Sequence, residues 1–365
     1  MGNYSFELNN AHRDSVVVKD AAKFNKFVEI CSALFTGMDA DKFGAEKDKA
    51  VATLKGLGRR AAADDWAARA ELNEIIKFIV QPKLLESMKL FSFMGNYHEI
   101  PYDAQAMVKT YNYEGMNART QASGGDVPFA GKNWLQYPVT THTISSGMVL
   151  DYREMESGNF NGTVAEEISQ IQIDMNNKAI AFVLETIYNA LKNNTKYVKF
   201  FEEYSGTVTQ TAVDGMIAKM RRMGKVNITG DFSVLSAICD WNGYKTVADS
   251  TVPFYTEAQV DEMAKVGLNG FYKGAALVEL PNPYNFTKPL ADKTGFELYH
   301  NPDRLYFIAQ GTNSPVNIFR RGGMTSMSGN DVETGVIKTR YDIEIGADVV
   351  KGREFEIGML AKSAD

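Results

Sequence analysis

Cysteine is almost absent from this chain: Cys31 and Cys239 are the only two among 365 residues. Two thiols build neither a disulfide framework nor a four-ligand zinc centre, so both are expected as buried, reduced side chains in a protein that folds in a reducing cytoplasm. Long apolar runs are missing as well. The strongest, Ala179 to Leu184, falls far short of the ~20 residues a membrane helix needs. No early stretch joins basic residues to an apolar block as an export signal does, so neither export nor a membrane partner is expected. The Asn-x-Ser/Thr matches, such as Asn161-Gly162-Thr163, count only in a secreted protein and carry no weight here. Positive charge is in deficit, with 39 Lys and Arg against 45 Asp and Glu and a net charge of −6. Wrapping nucleic acid by phosphate neutralisation demands a basic surface, so any contact with DNA is expected to be weak and nonspecific.

Signatures of catalysis and ligand binding are missing too. The histidines His12, His98, His142 and His300 are scattered, with no spacing that sets two on one helical face. Gly125 to Lys132 approaches a phosphate loop, but the spacing to Gly131-Lys132 is one residue too long, and Asn133 stands where a magnesium-binding hydroxyl is required. Asp39 to Gly44 opens like a calcium loop, yet Phe43 takes a ligand position and Ala50 sits where a bidentate Glu must be. No Gly-x-Ser-x-Gly elbow and no Gly-x-Gly-x-x-Gly turn follows a strand. No catalytic, cofactor-binding or metal-binding residue is assigned, and an enzyme is not expected.

What is present is enough apolar material, 44% of the residues, for one large or two modest cores. Over residues 1–69, Ala21 to Phe35 and Glu46 to Leu54 have helical composition between breakers at Gly37, Gly44 and Gly56. This segment is either an arm reaching onto neighbouring molecules or a locally folded or disordered leader. Asp65 can cap a helix with the stripe Leu72, Ile75, Ile76 and Ile79, with a break at Pro82. Met107 to Tyr113 and Tyr137 to Leu150 alternate as two long strands. The intervening Glu114 to Asn133 has too little apolar content to pack on its own. The result is a long hairpin with a wide tip, marginal alone in water because both edges are unpaired. Either something outside the hairpin holds it, or it lies on its own domain.

Thr163-Val164-Ala165-Glu166 is a capping box. The helix it opens carries Val164, Ile168, Ile171, Met175, Ala179, Phe182, Val183 and Ile187 at helical spacing, with Asn193-Asn194 as its stop. At 1.5 Å per residue it is ~45 Å long and forms a spine. From Ser205 short helices and strands alternate. Thr211 to Met223 is a helix with Val213, Met216, Ile217 and Met220 inward, ended by Gly224; Val226 to Thr229 is a strand; Asp231 caps Phe232 to Cys239. Thr256-Glu257-Ala258-Gln259 is a second capping box, opening a helix that ends near Gly267. Ala275 to Leu280 and Leu305 to Ala309 read as buried strands. Val332 to Ile345 and Glu354 to Leu360 close the chain as alternating strands joined through Gly346 and Gly352.

This order of parts resembles the major capsid protein family of tailed bacteriophages, of the Hong Kong 97 type. The likeness runs from about Glu71 to the C-terminus. It is carried by Asp151-Tyr152-Arg153-Glu154 to Leu191, by Asn227-Ile228-Thr229-Gly230-Asp231, and by Leu305-Tyr306-Phe307-Ile308-Ala309-Gln310-Gly311, Ser314-Pro315-Val316 and Gly346-Ala347-Asp348-Val349-Val350. The resemblance implies an α+β, Hong Kong 97-like capsid fold: an N-terminal arm at 1–69, a peripheral domain with the spine helix at 70–100, 151–204 and 321–365, an E-loop hairpin at 101–150, and an axial domain at 205–320. It implies self-assembly as pentamers and hexamers into an icosahedral shell around a double-stranded DNA genome. Axial domains would meet at the capsomer axis, and the E-loop would lie over the adjacent subunit. Met116, Arg119, Phe129, Lys132 and Trp134 are the expected inter-subunit contacts. A scaffolding protein and a portal are the expected further partners, and no cofactor is expected. The protein would be made in the host cytoplasm and reside in the virion.

The nearest alternative is an encapsulin-like nanocompartment, which shares the fold but encloses protein cargo; a tail or baseplate protein would carry far less helix. The family's namesake cuts away a long leader, whereas the leader here is short, so cleavage is not expected. The namesake also joins subunits by a Lys to Asn isopeptide bond, which needs a neutral Lys in an apolar pocket beside a Glu base. Lys132 lies at the hairpin tip, but no Asn and Glu partners stand out. Purified particles are therefore expected to run as single-chain bands on a denaturing gel, and a covalent ladder would overturn that expectation.

Overall fold

The computed structural model of the chain describes residues 6–8, 16–18, 21–36, 40–63, 65–90, 95–114, 120, 131–150, 163–241, 244–247, 250–253, 268, 270–310, 314–331 and 336–363. Six α-helices form among them: α1 (Ala21–Thr36), α2 (Ala45–Ala62), α3 (Trp66–Leu90), α4 (Thr163–Lys192), α5 (Gln210–Met220) and α6 (Phe232–Trp241). The described strands begin with β1 (Phe6–Leu8), β2 (Val16–Val18), β3 (Asn96–Ile100), β4 (Met107–Glu114), β5 (Gly131–Pro138), β6 (His142–Leu150), β7 (Phe200–Tyr204), β8 (Lys225–Gly230), β9 (Tyr244–Val247) and β10 (Ser250–Pro253). They continue with β11 (Phe271–Tyr272), β12 (Ala275–Glu279), β13 (Tyr284–Pro289), β14 (Phe296–Leu298), β15 (Arg304–Gln310), β16 (Val316–Asp331), β17 (Val336–Val349) and β18 (Ile357–Lys362).

The spine α4 runs as its periodicity predicts, Thr163 to Lys192. Ile171, Met175, Ala179, Val183, Leu184, Ile187 and Leu191 are buried along one stripe. The Asn194 carboxamide oxygen ends it by accepting the backbone N–H groups of Lys196 and Tyr197, each at 3.0 Å. The capping box side chains lie outside the described residues. Around α4 gather Phe27, Ile30 and Leu34 of α1, Ala50, Leu54 and Leu57 of α2, and Leu72, Ile75, Ile76 and Ile79 of α3. Cys31 joins them, its thiol pushed up by burial. The four-stranded sheet β3-β16-β17-β6 closes this core with Ile318, Tyr341, Ile343 and Ile345.

A second core forms where α5 and α6 cover one face of a six-stranded mixed sheet, β11-β12-β8-β15-β18-β7. Val213, Met216, Ile217 and Met220 of α5 point inward, as do Leu235, Ile238 and the thiol-bearing Cys239 of α6. Thr209 caps α5 by accepting from Ala212 N–H, and Asp231 caps α6 by accepting from Ser233 N–H at 2.9 Å. β15 separates the two cores: Leu305, Phe307 and Ala309 face the second, while Tyr306 and Ile308 face the spine. That is why its sequence is apolar without alternation, since both faces are covered.

Four features differ from what the sequence predicts. Gly56 does not end α2; the ~1 kcal/mol a mid-helix glycine loses relative to alanine is outweighed by burial of Ala50, Leu54, Leu57 and Ala61 around it. Helix α3, capped by the Asp65 carboxylate at Ala67 N–H (3.0 Å), continues through Pro82 to Leu90. One lost backbone bond is a local cost against a stripe buried from Leu72 to Ile79. Tyr137 to Leu150 is not one strand: β5 pairs with β4, whereas β6 pairs with β17. The chain changes sheets at residues 139–141, where it crosses closely over Gly346. Strand β16 is not expected from the sequence, its short apolar start at Val316 to Phe319 being followed by a largely polar run, yet it pairs with β17 from Val316↔Val349 to Asp331↔Val336. The expected helix from Thr256 and the start of the strand at Val332 lie outside the described residues.

Ile171 is 3% exposed and Ile173, on the opposite side of the same helix, 43% exposed. Ile171→Asp is expected to abolish cooperative folding, because an unpaired buried carboxylate costs several kcal/mol out of a total of roughly 5–15. Ile173→Asp should be nearly neutral. Circular dichroism melts of the two variants check this, and a wild-type transition for Ile171→Asp would contradict it.

Candidate functional site

The hairpin expected to carry contacts is a two-stranded ladder, from Met107↔Pro138 to Glu114↔Gly131, and among the described residues neither strand pairs with any other. Alternation divides it into two faces. Val108 and Thr110 are buried against the body, with Tyr137 beside them, whereas Lys109, Gln136 and Trp134 stand on the opposite, exposed face. Trp134 is 64% exposed. Of the five expected contact residues, Lys132 and Trp134 lie on β5, at register positions opposite Tyr113 and Tyr111. Met116, Arg119 and Phe129 lie outside the described residues.

The root of the hairpin holds residues that spacing alone did not single out. Ala106, Val108, Val139, Phe319 and Val350 form a small cluster separate from both main cores, with Ile100 and Tyr137 packed against it. The His98 ring stacks on Phe319 at 5.3 Å. Val139 N–H donates to the Ala106 carbonyl at 2.9 Å, closing the ladder at its base. On the outgoing link, the Tyr102 hydroxyl donates to the Gly323 carbonyl at 2.9 Å, and Arg321 Nε donates to the Tyr102 carbonyl at 3.0 Å. The ring lies across Gly322, where a Cβ would come within 2.1 Å of a ring carbon and where φ is +67°. At the end of β5, just before the returning link, the Tyr137 hydroxyl donates to Asp348 Oδ2 at 2.6 Å and accepts from Lys351 N–H at 3.1 Å, while the Lys351 ammonium sits 4.4 Å above the ring. Residues 139–141 then pass Gly346, where a Cβ would meet the Thr140 carbonyl oxygen and Thr141 Cγ2, each at 3.2 Å. The available clue was the glycines inside strands, which mark bulges and close approaches.

A groove of about 880 Å³ lies elsewhere, between α4 and the β13–β14 ribbon, lined by Phe182, Tyr284, Leu290 and Phe296. On its wall Arg304 bonds Glu185 at 2.6 Å and stacks 3.7 Å above the Tyr188 ring. Among the described residues no three His, Cys, Asp or Glu side chains converge as metal ligands.

Burial raises the Asp348 carboxyl above its ordinary range, against the opposing pull of the Tyr137 hydrogen bond and the Lys351 charge. Because the folded-state value is raised, the ionised form is the disfavoured one. Stability from this group is therefore lost as pH rises through its titration. Asp348→Asn keeps an acceptor for Tyr137 and is expected to raise the melting midpoint at neutral pH, with the gain vanishing as pH falls towards about 4, where the free carboxyl titrates. Melts across that range check it; a gap independent of pH would contradict it.

The family model described as "SPbeta prophage-derived putative capsid protein YonB" matches residues 16–361. No curated protein matches the sequence. Among solved structures, the mature capsid of bacteriophage PhiM1 is 11% identical over 75% of this chain and 87% of its own, with a TM-score of 0.48. Mycobacterium phage Patience gives 12% identity over 80% and 89%, with a TM-score of 0.44. A virus-like particle from Pyrococcus furiosus gives 9% over 77% and 97%, with a TM-score of 0.43. Likenesses this distant do not carry the assignment. It rests on the family match, which takes in the hairpin, the spine and both cores: the chain belongs to the YonB family of prophage-derived capsid proteins.

Proposed function

We propose that this capsid protein builds the shell as pentamers and hexamers, each copy laying its 107–138 hairpin over the next. The observation that carries this reading is the ribbon itself. Among the described residues its ladder pairs with no third strand, and its outward face presents Trp134 to water. An isolated two-stranded hairpin is marginal in water, and a bare indole is the kind of anchor around which interfaces are built. A neighbouring copy supplies what the ribbon lacks. Met116, Arg119, Phe129, Lys132 and Trp134 make that contact.

In this reading residues 70–100, 151–204 and 321–365 are the peripheral domain, and 205–320, which supplies every buried side chain of the second core except Leu360, is the axial domain that meets its equivalents around the capsomer axis. Many modest interfaces, repeated by symmetry, sum to a closed shell. The protein acts as a structural part and not as a catalyst. The net charge of −6 suits a wall that touches packaged DNA weakly and nonspecifically. A scaffolding protein and a portal complete the assembly, which begins in the host cytoplasm. The prophage character of the family favours a genome shell over a cargo compartment.

Deleting 116–132 is expected to leave a soluble, cooperatively folding monomer that forms no particles, because that segment carries too little apolar material to pack on a core of its own. Electron microscopy and sedimentation of the expressed protein test it. Particles indistinguishable from wild type would remove the hairpin from the assembly contacts.

A further inference from the structure

The geometry points to Tyr102 and Tyr137 as a pair of pins that set the angle at which the hairpin leaves the body, and so make the angle itself a determinant of assembly. This rests on the reading that the hairpin bridges copies. It adds that the root, and not only the tip, decides whether that bridge is made.

The ribbon joins the rest of the chain through two short links, 101–106 and 139–141; Tyr102 in the first link and Tyr137, at the end of β5 just before the second, are each bonded through the hydroxyl to the body. Tyr102 is fastened to the β16 bulge at Gly323 and Tyr137 to the end of β17 at Asp348. Each link is also seated over a glycine, Gly322 under the Tyr102 ring and Gly346 under residues 139–141. The two anchorages are on adjacent strands of one sheet, so together they resist rotation about either link alone. The apolar cluster between them is small, five buried side chains, and non-directional, so it holds the root in place without fixing its direction. Direction comes from the hydrogen bonds, which are angular.

The lever is long. Eight paired residues at 3.3–3.4 Å each give a ribbon of roughly 27 Å, so a rotation of about 10° at the root carries its far end about 5 Å, further than a contact distance. A ribbon held at one angle also meets its neighbour without first losing orientational freedom, which is the advantage of preorganisation.

The test uses the full chain carrying Tyr102→Phe with Tyr137→Phe, and separately Gly346→Ala, which reaches the same link by crowding. The 116–132 deletion is the reference. Expected for the tyrosine double variant are a wild-type far-ultraviolet spectrum and a cooperative melt, together with lost hydrogen-exchange protection at the Lys351 amide. Its assembly, followed by light scattering, should slow on the order of tenfold as preorganisation is lost, and electron microscopy should show a broadened spread of particle diameters. Gly346→Ala should reproduce the assembly defect. Should either variant fail to fold, the other decides. If the pin variants build uniform particles at the wild-type rate while the deletion does not assemble, the pins are overturned and the bridging hairpin stands. If the deletion assembles normally, both fall.

Discussion

Burial of β15 on both faces is the constraint on which the rest of the molecule hangs. Leu305, Phe307 and Ala309 pack under α5 and α6, and Tyr306 and Ile308 pack towards the spine. Neighbouring β18 is shared in the same way, with Leu360 on one side and Ile357, Met359 and Ala361 on the other. Each buried aliphatic or aromatic side chain is worth roughly 1.5–3 kcal/mol, so a strand that buries every side chain from Leu305 to Ala309 fixes its register strongly. A slip of one residue would exchange the two cores' side chains. The two cores are thereby held in one fixed relation, and both can present surfaces outward without softening the interior.

The hairpin is built on the opposite principle. Its described residues contribute nothing to either main core, and among them the ladder pairs with no other strand. What it gains from its own chain is concentrated at the base, in a cluster of side chains from β4, residue 139, β16 and residue 350, and in the two tyrosine hydroxyls. Stability and contact are thus assigned to different parts of the chain. A change at Ile171 is expected to be felt as unfolding, whereas a change at Trp134 need not be felt by the monomer at all.

Legibility in the sequence followed the range of the interaction that fixes each element. The spine could be read to the residue because its period, its apolar stripe and the Asn193-Asn194 stop are local. β15 could be read because an unbroken apolar run needs two covered faces. Gly56 and Pro82 misled because their local penalties are outweighed by burial from helices and strands distant in sequence. β16 was missed because Gly322-Gly323 and the polar run Thr325 to Asp331 interrupt the apolar pattern that Val316, Ile318 and Phe319 begin. Of the candidate site, Lys132 and Trp134 were placed in or beside the tip, whereas both lie on β5, which begins at Gly131, six residues before the strand expected from Tyr137. The pins were not legible, since Tyr137 and its acceptor are 211 residues apart, and no spacing rule reaches that far.

Closed symmetric assemblies add a demand that monomer stability does not. Every copy must present its contact at nearly the same angle, or the small errors accumulate around the ring and the rotation fails to close. A ribbon whose ladder is marginal cannot guarantee that angle from within, because its twist and bend are soft. Lengthening the ribbon makes the problem worse in proportion, while thickening it with a third strand would fill the space a neighbour has to occupy. The remaining solution is to stiffen the short links at its base with directional bonds to a rigid sheet. Strands β16 and β17 are that sheet here, braced from behind by the spine core through Ile318, Ile343 and Ile345. The rigidity that begins in the doubly buried interior is in this way carried to the part of the molecule that has least of its own.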